Sequence, residues 1–67
     1  MTNEIYQLWQ QWCNQKLNCE VCYLDNRCEV KQLISPLLAV DLTAQTITIS
    51  GKIIPFRLVL SVKPLNL

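Results

Sequence analysis

Asn18-Cys-Glu-Val-Cys-Tyr-Leu24 and Arg27-Cys-Glu-Val-Lys-Gln-Leu-Ile34 flank Asp25-Asn26, and the reading of this stretch decides the fold. Asp-Asn tolerates the positive φ of a tight turn, so the two runs read as a β-hairpin. Folding about that pair sets Leu24 opposite Arg27, Tyr23 opposite Cys28, Val21 opposite Val30 and Glu20 opposite Lys31. Side chains alternate along a strand. One face therefore collects Cys19, Val21, Tyr23, Cys28, Val30 and Ile34, and the other Glu20, Cys22, Glu29 and Lys31. A one-residue slip would exchange the faces of one strand.

Ahead of the hairpin, Ile5, Leu8, Trp9, Trp12, Cys13 and Leu17 recur at helical spacing, with Glu4, Gln7, Gln10, Gln11, Asn14 and Gln15 opposite them. This is an amphipathic helix over residues 3–17. Thr2 or Asn3 suits its N-cap, Glu4 and Lys16 suit the two ends of its dipole, and Asn18 suits the left-handed position that stops it. Trp9 and Trp12 read as core or interface.

Beyond the hairpin, Ser35-Pro36 interrupts the second strand, because proline donates no ladder hydrogen bond. Leu37 to Leu42 then resumes, either as a bent continuation or as a new strand. Thr43-Ala44-Gln45 reads as a turn, Thr46-Ile-Thr-Ile-Ser50 alternates with Ile47 and Ile49 inward, and Ser50-Gly51-Lys52 is the next tight turn. Ile53 to Val62 is one long strand or two short ones with a corner near Phe56 to Leu58, and Pro64 to Leu67 is a tail. The whole is one α+β, mostly β domain over residues 1–67. A helix precedes four or five short antiparallel strands at 18–63, in a strongly bent sheet or small barrel.

A 67-residue chain buries only about 60% of its unfolded surface, so it is marginal alone. Its composition is 51% hydrophobic with a single glycine, which points to apolar surface shared with another chain and to a homo-oligomer. Ile5, Leu8, Trp9 and Trp12 are the candidate interface. Net charge is +1, too balanced to argue for nucleic acid from overall basicity. All five acids lie at or before Asp41, however, and Lys52, Arg57 and Lys63 make the remainder basic.

No secretory leader or apolar run of membrane-spanning length is visible, so no membrane partner and a cytoplasmic location are expected. Cysteines stay reduced there. Cys13, Cys19, Cys22 and Cys28 are spaced C-x5-C-x2-C-x5-C, which invites a tetrahedral zinc reading. The hairpin argues against it, since Cys19 and Cys22 point to opposite faces. Core thiols are the expectation, with no cofactor.

The chain contains no histidine, and its acids are explained by turns and a solvated face, so neither an enzyme nor a small-molecule substrate is expected. The candidate binding residues are Arg27, Lys31, Lys52 and Arg57 against phosphates, with Phe56 as a stacking group.

The helix, the Leu24-Asp-Asn-Arg27 hairpin, the bent apolar strand, the Thr46-Ile-Thr-Ile49 hairpin and the closing Ile54-Pro-Phe-Arg-Leu-Val-Leu-Ser-Val-Lys-Pro64 resemble the Sm-like family. The order is similar to that of bacterial Sm-like RNA chaperones and, from Leu8 to Val30, to small Rho-binding antiterminators. This resemblance implies an Sm-like or SH3-like small barrel, Asp25-Asn26 as the first strand turn, Phe56-Arg57 at the last corner, and a regulator of RNA or transcription that acts by binding. Where Sm-like RNA binders carry a glycine in the second strand this chain has Gln32 to Pro36, and their histidine-containing RNA motif is absent near Phe56. Contact with a protein of the RNA or transcription machinery is therefore the expected mode. Direct RNA binding, or service as a structural subunit of a larger assembly, is the alternative.

Overall fold

The computed structural model describes residues 3–65. Helix α1 spans Asn3–Asn14, followed by strands β1 (Asn18–Leu24), β2 (Val30–Asp41), β3 (Thr46–Ile49) and β4 (Lys52–Pro55), a 3-10 corner at Phe56–Leu58, and β5 (Val59–Pro64). The five strands form one antiparallel sheet in the order β4-β3-β2-β1-β5. The sheet is open, with β4 and β5 as its edges. The last segment is two short strands about the expected corner, and Pro64 closes β5 instead of opening a tail.

The helix ends three residues before the expected boundary. Lys16, not Asn18, takes the left-handed conformation, at φ 57°. Leu17 N–H donates to the Trp12 carbonyl at 3.2 Å and Lys16 N–H to that of Cys13 at 3.1 Å, the paired bonds of a Schellman stop. Asn18 is thereby free to open β1. A cap from Thr2 or from the Asn3 side chain lies outside the described residues.

The hairpin is present, but its register is not the one read about Asp25-Asn26. Tyr23 faces Lys31, Val21 faces Leu33, Glu20 faces Ile34, and Leu24 faces Val30. The loop is longer because Asp25 N–H donates to the Glu29 carbonyl and Cys28 N–H to the Asp25 carbonyl, both at 3.0 Å, with Cys28 left-handed at φ 59°. A turn followed by a left-handed residue is a common three-residue hairpin loop. The offset of three is odd, so β2 is turned over. Cys19, Val21 and Tyr23 stay inward as expected, whereas Cys28 sits in the turn and Val30 and Ile34 point outward, 64% and 61% exposed. Leu33 takes the inward place.

This register makes a direct prediction. Val21 is fully buried, so Val21→Ser should destabilise by about 2–3 kcal/mol through lost apolar burial and an enclosed hydroxyl. Val30→Ser and Ile34→Ser should each stay within about 0.5 kcal/mol. Urea unfolding of the three variants measures it, and a loss at Val30 equal to that at Val21 would contradict the register.

Strand β2 is one continuous, bent element. Its first half pairs with β1 as far as Pro36 opposite Asn18, and its second half pairs with β3 from Leu37 opposite Ile49. Asn18 turns its main chain to the other neighbour, its carbonyl accepting from Leu65 N–H at 2.8 Å on the β5 side, so Asn18 and Pro36 are a non-bonded pair and the missing proline N–H costs the β1 ladder nothing. A register shift between Leu37 and Ala39 completes the bend. At the β3–β4 hairpin both central residues have positive φ, Ser50 at 52° and Gly51 at 79°, as a two-residue loop matching the twist of the strands requires.

The core is Trp9, Cys19, Val21, Tyr23, Leu37, Ile47, Ile49, Ile54 and Phe56. Helix α1 meets it through Trp9, with Tyr6 and Cys13 beside it, a face rotated from the one expected. Ile5 and Leu8 are consequently about half exposed, at 49% and 44%.

Candidate functional site

Four positions on the lower rim of the sheet decide the geometry here: Asp25 in the β1–β2 loop, Lys31 at the start of β2, Lys52 at the start of β4, and Leu58 at the 3-10 corner. They line one open groove of about 400 Å³. The turn that presents it is built by Asp25, whose Oδ1 accepts from the Arg27 N–H at 2.8 Å and the Glu29 N–H at 2.9 Å. Lys31 Nζ lies 3.5 Å from Glu29 and 3.9 Å from Asp25. Lys52 makes no ion pair among the described residues. The rest of the lining is mainly apolar, with Tyr23 on one side and Ile53, Ile54 and Pro55 on the other.

The Asp25 carboxyl is held below its usual value, first by the Glu29 amide, against the opposing effect of desolvation, and then by the Arg27 amide and by Lys31 and Lys52. A lowered folded pKa contributes stability above the unfolded value that is lost as pH falls through the folded one. Acid unfolding below pH 3.8 should therefore be blunted in Asp25→Ala relative to wild type, and the variant should also have a lower urea midpoint at neutral pH. Urea titrations at several pH values measure this; identical pH dependence in the two proteins would contradict it.

Of the expected binding residues, Lys31 and Lys52 are brought together. Arg27 lies in the turn beside Asn26, and Arg57 on the corner beside Leu58, so both are exposed on segments that reach the groove. Phe56 is placed elsewhere. It is 7% exposed and stacks on Tyr6 at 4.3 Å between ring centroids, with Trp9 edge-on at 5.3 Å. A ring packed in this way is core and presents no face for a base to stack on.

The expected helix interface divides similarly. Trp9 belongs to the core, Trp12 is partly buried against it, and Ile5 and Leu8 remain open to a partner. Tyr6 escaped the sequence reading, although its position three residues before Trp9 is helical spacing that would have found it.

The cysteines are dispersed. Cys13 Sγ donates to the Leu37 carbonyl at 3.3 Å and Cys19 Sγ to that of Leu17 at 3.6 Å, while Cys22 lies on the opposite face of β1 and Cys28 in the turn. Among the described residues no three His, Cys, Asp or Glu side chains are grouped as metal ligands. Burial, and then the neighbouring Cys13, pushes the Cys19 thiol up, which suppresses the reactive thiolate. Alkylation followed by mass spectrometry should label exposed Cys28 first and Cys19 only on unfolding. Equal rates at the two would contradict this packing.

No family model, curated protein or solved structure matches the chain. Along the outward side of β2 run Val30, Ile34 and Leu38, each more than three-fifths exposed, at 64%, 61% and 61%. Alternation places Val30 and Ile34 on one face with Gln32 between, and Leu38 follows beyond the bend, at the register shift. No helix among the described residues is long and apolar enough to cross a membrane.

Proposed function

We propose that this protein is a small non-enzymatic regulator that acts on the RNA or transcription machinery through protein contact, in the manner of the Rho-binding antiterminators it resembles. The setting rests on the resemblance: a helix, a hairpin, a bent second strand and a corner before the last strand are the element order of the Sm-like family. In this reading the bent sheet is an unclosed relative of the Sm-like or SH3-like small barrel, working in the cytoplasm and self-associating through its apolar surface.

The mode rests on one observation, the exposure of Val30, Ile34 and Leu38 along β2. Large apolar side chains exposed in series along one strand of so small a domain suit a protein interface better than a polyanion. Two placements support the same choice, since Phe56 is packed in the core and Lys31 is already shared with Glu29. Direct RNA binding is the second reading, favoured by Lys31 and Lys52 lining one groove.

Capture from native lysate with and without nuclease tests the two. One protein retained through nuclease treatment, and lost from Ile34→Asp, is the expected result. Recovery of RNA alone, falling steeply with salt and lost when Lys52 and Arg57 are replaced by Ala, would overturn it.

A further inference from the structure

Consecutive residues of a strand point to opposite faces, so a groove that touches every residue of a strand must run along its edge. The groove described above touches Lys52, Ile53, Ile54 and Pro55, all four residues of β4. That edge is not paired within the sheet, because β4 neighbours β3 alone.

The ladder fixes which main-chain groups face outward. Ile47 opposes Ile54 and Ile49 opposes Lys52, and Phe56 N–H donates to the Gln45 carbonyl at 2.8 Å one step further along. In an antiparallel pair hydrogen-bonded and non-bonded positions alternate, so Lys52, Ile54 and Phe56 are the residues bonded toward β3. The Ile53 N–H and C=O and the Pro55 C=O therefore point away from β3, into the groove.

From this placement we propose that the groove is a strand-addition site for an extended, acidic segment of a partner protein. The segment would pair its main chain with Ile53 and Pro55, lay apolar side chains against Ile53, which is 71% exposed, and bring a carboxylate to Lys52. The inference rests on the protein-contact reading above and names the chemistry of the partner. Charge selects the occupant. Lys52 makes no ion pair among the described residues and feels Asp25 only at longer range, while Asp25 is engaged by two backbone amides and by Lys31, and Glu29 by Lys31. A second copy offering its own β5 edge would bring Lys63 and no acid to Lys52, which favours an acidic partner from another protein.

A capped Val-Asp-Val-Asp-Val-Asp peptide is the probe, titrated into the full chain labelled with 15N and followed by amide shifts and hydrogen exchange. The Ile53 amide should shift and its exchange should slow. Lys52→Glu should weaken binding about tenfold, the order expected for reversing one charge in a partly solvated pair. Ile53→Pro should abolish binding while leaving the fold intact, because the N–H it removes bonds nothing in the sheet. If that variant fails to fold, the Lys52→Glu titration decides.

Three results would overturn the proposal. They are absence of shifts at about 2 mM peptide, beyond the weakest useful affinity; equal binding of a Val-Lys-Val-Lys-Val-Lys peptide; and the same shifts from a uridine hexanucleotide. In the first case Lys52 and Pro55 would serve only to guard the edge against aggregation, in the second the site would add strands without regard to charge, and in the third it would bind nucleic acid. A protein captured from lysate equally well by wild type, Lys52→Glu and Ile53→Pro would sink strand addition and leave the protein-contact reading standing. Peptide binding without any nuclease-resistant protein in the lysate would do the reverse.

Discussion

Replacing Trp9 by Ala is expected to unfold most of the population at 37 °C. The indole is 5% exposed and edge-on to both Tyr6, at 5.1 Å, and Phe56, at 5.3 Å, so its removal empties the space between the helix and the sheet. Truncating a buried aromatic costs about 3–5 kcal/mol, which is about the whole stability a single core supplies at this size. Among the described residues of α1 no other is buried to this degree, so the helix loses its main anchor. Trp12→Ala is the internal comparison. Trp12 is only partly buried against the core, and its loss should shift the urea midpoint by less than half as much. Circular dichroism at 222 nm during urea and thermal unfolding measures both variants; equal losses would mean that the helix is seated on a different face.

Phe56→Ala should cost nearly as much, about 3–4 kcal/mol, for a related reason. Its ring is 7% exposed and stacked on Tyr6 with an interplanar angle of 24°, and its N–H ties the corner to the Gln45 carbonyl at 2.8 Å. The main-chain bond survives the substitution, so the loss is that of packing. Arg57→Ala, one residue along and exposed, should stay within about 0.5 kcal/mol. The pair separates a structural from a binding role at this corner: unfolding curves should move for Phe56 and not for Arg57. A Phe56→Ala protein of unchanged midpoint would return this ring to the surface. Because Trp9 and Phe56 touch, the double variant should lose less than the two single losses together.

Most of the element order is legible in the chain. Helical spacing marks α1, strict alternation marks Ile47 and Ile49, and Ser50-Gly51 and Pro36 mark a turn and a bend. These signals are local: each depends on residues within a few positions of one another. The inward set of β1, Cys19, Val21 and Tyr23, follows from the same alternation.

What tertiary structure alone decided begins at Asp25. Two backbone amides on its carboxylate and the left-handed Cys28 lengthen the loop, and the odd offset that results turns β2 over, carrying Val30 and Ile34 from the expected core to the surface. Alternation gives the two faces of a strand but not which of them is buried, because that choice belongs to the pairing. The same limit applies to α1, where periodicity identified an apolar stripe but the position of Phe56 drew Tyr6 and Trp9 inward and left Ile5 and Leu8 outside. The groove is the furthest from the sequence. Lys31 and Lys52 are twenty-one positions apart, and they share it only because β4 ends as a free edge beside the β1–β2 turn, an arrangement produced by the order in which five strands pair.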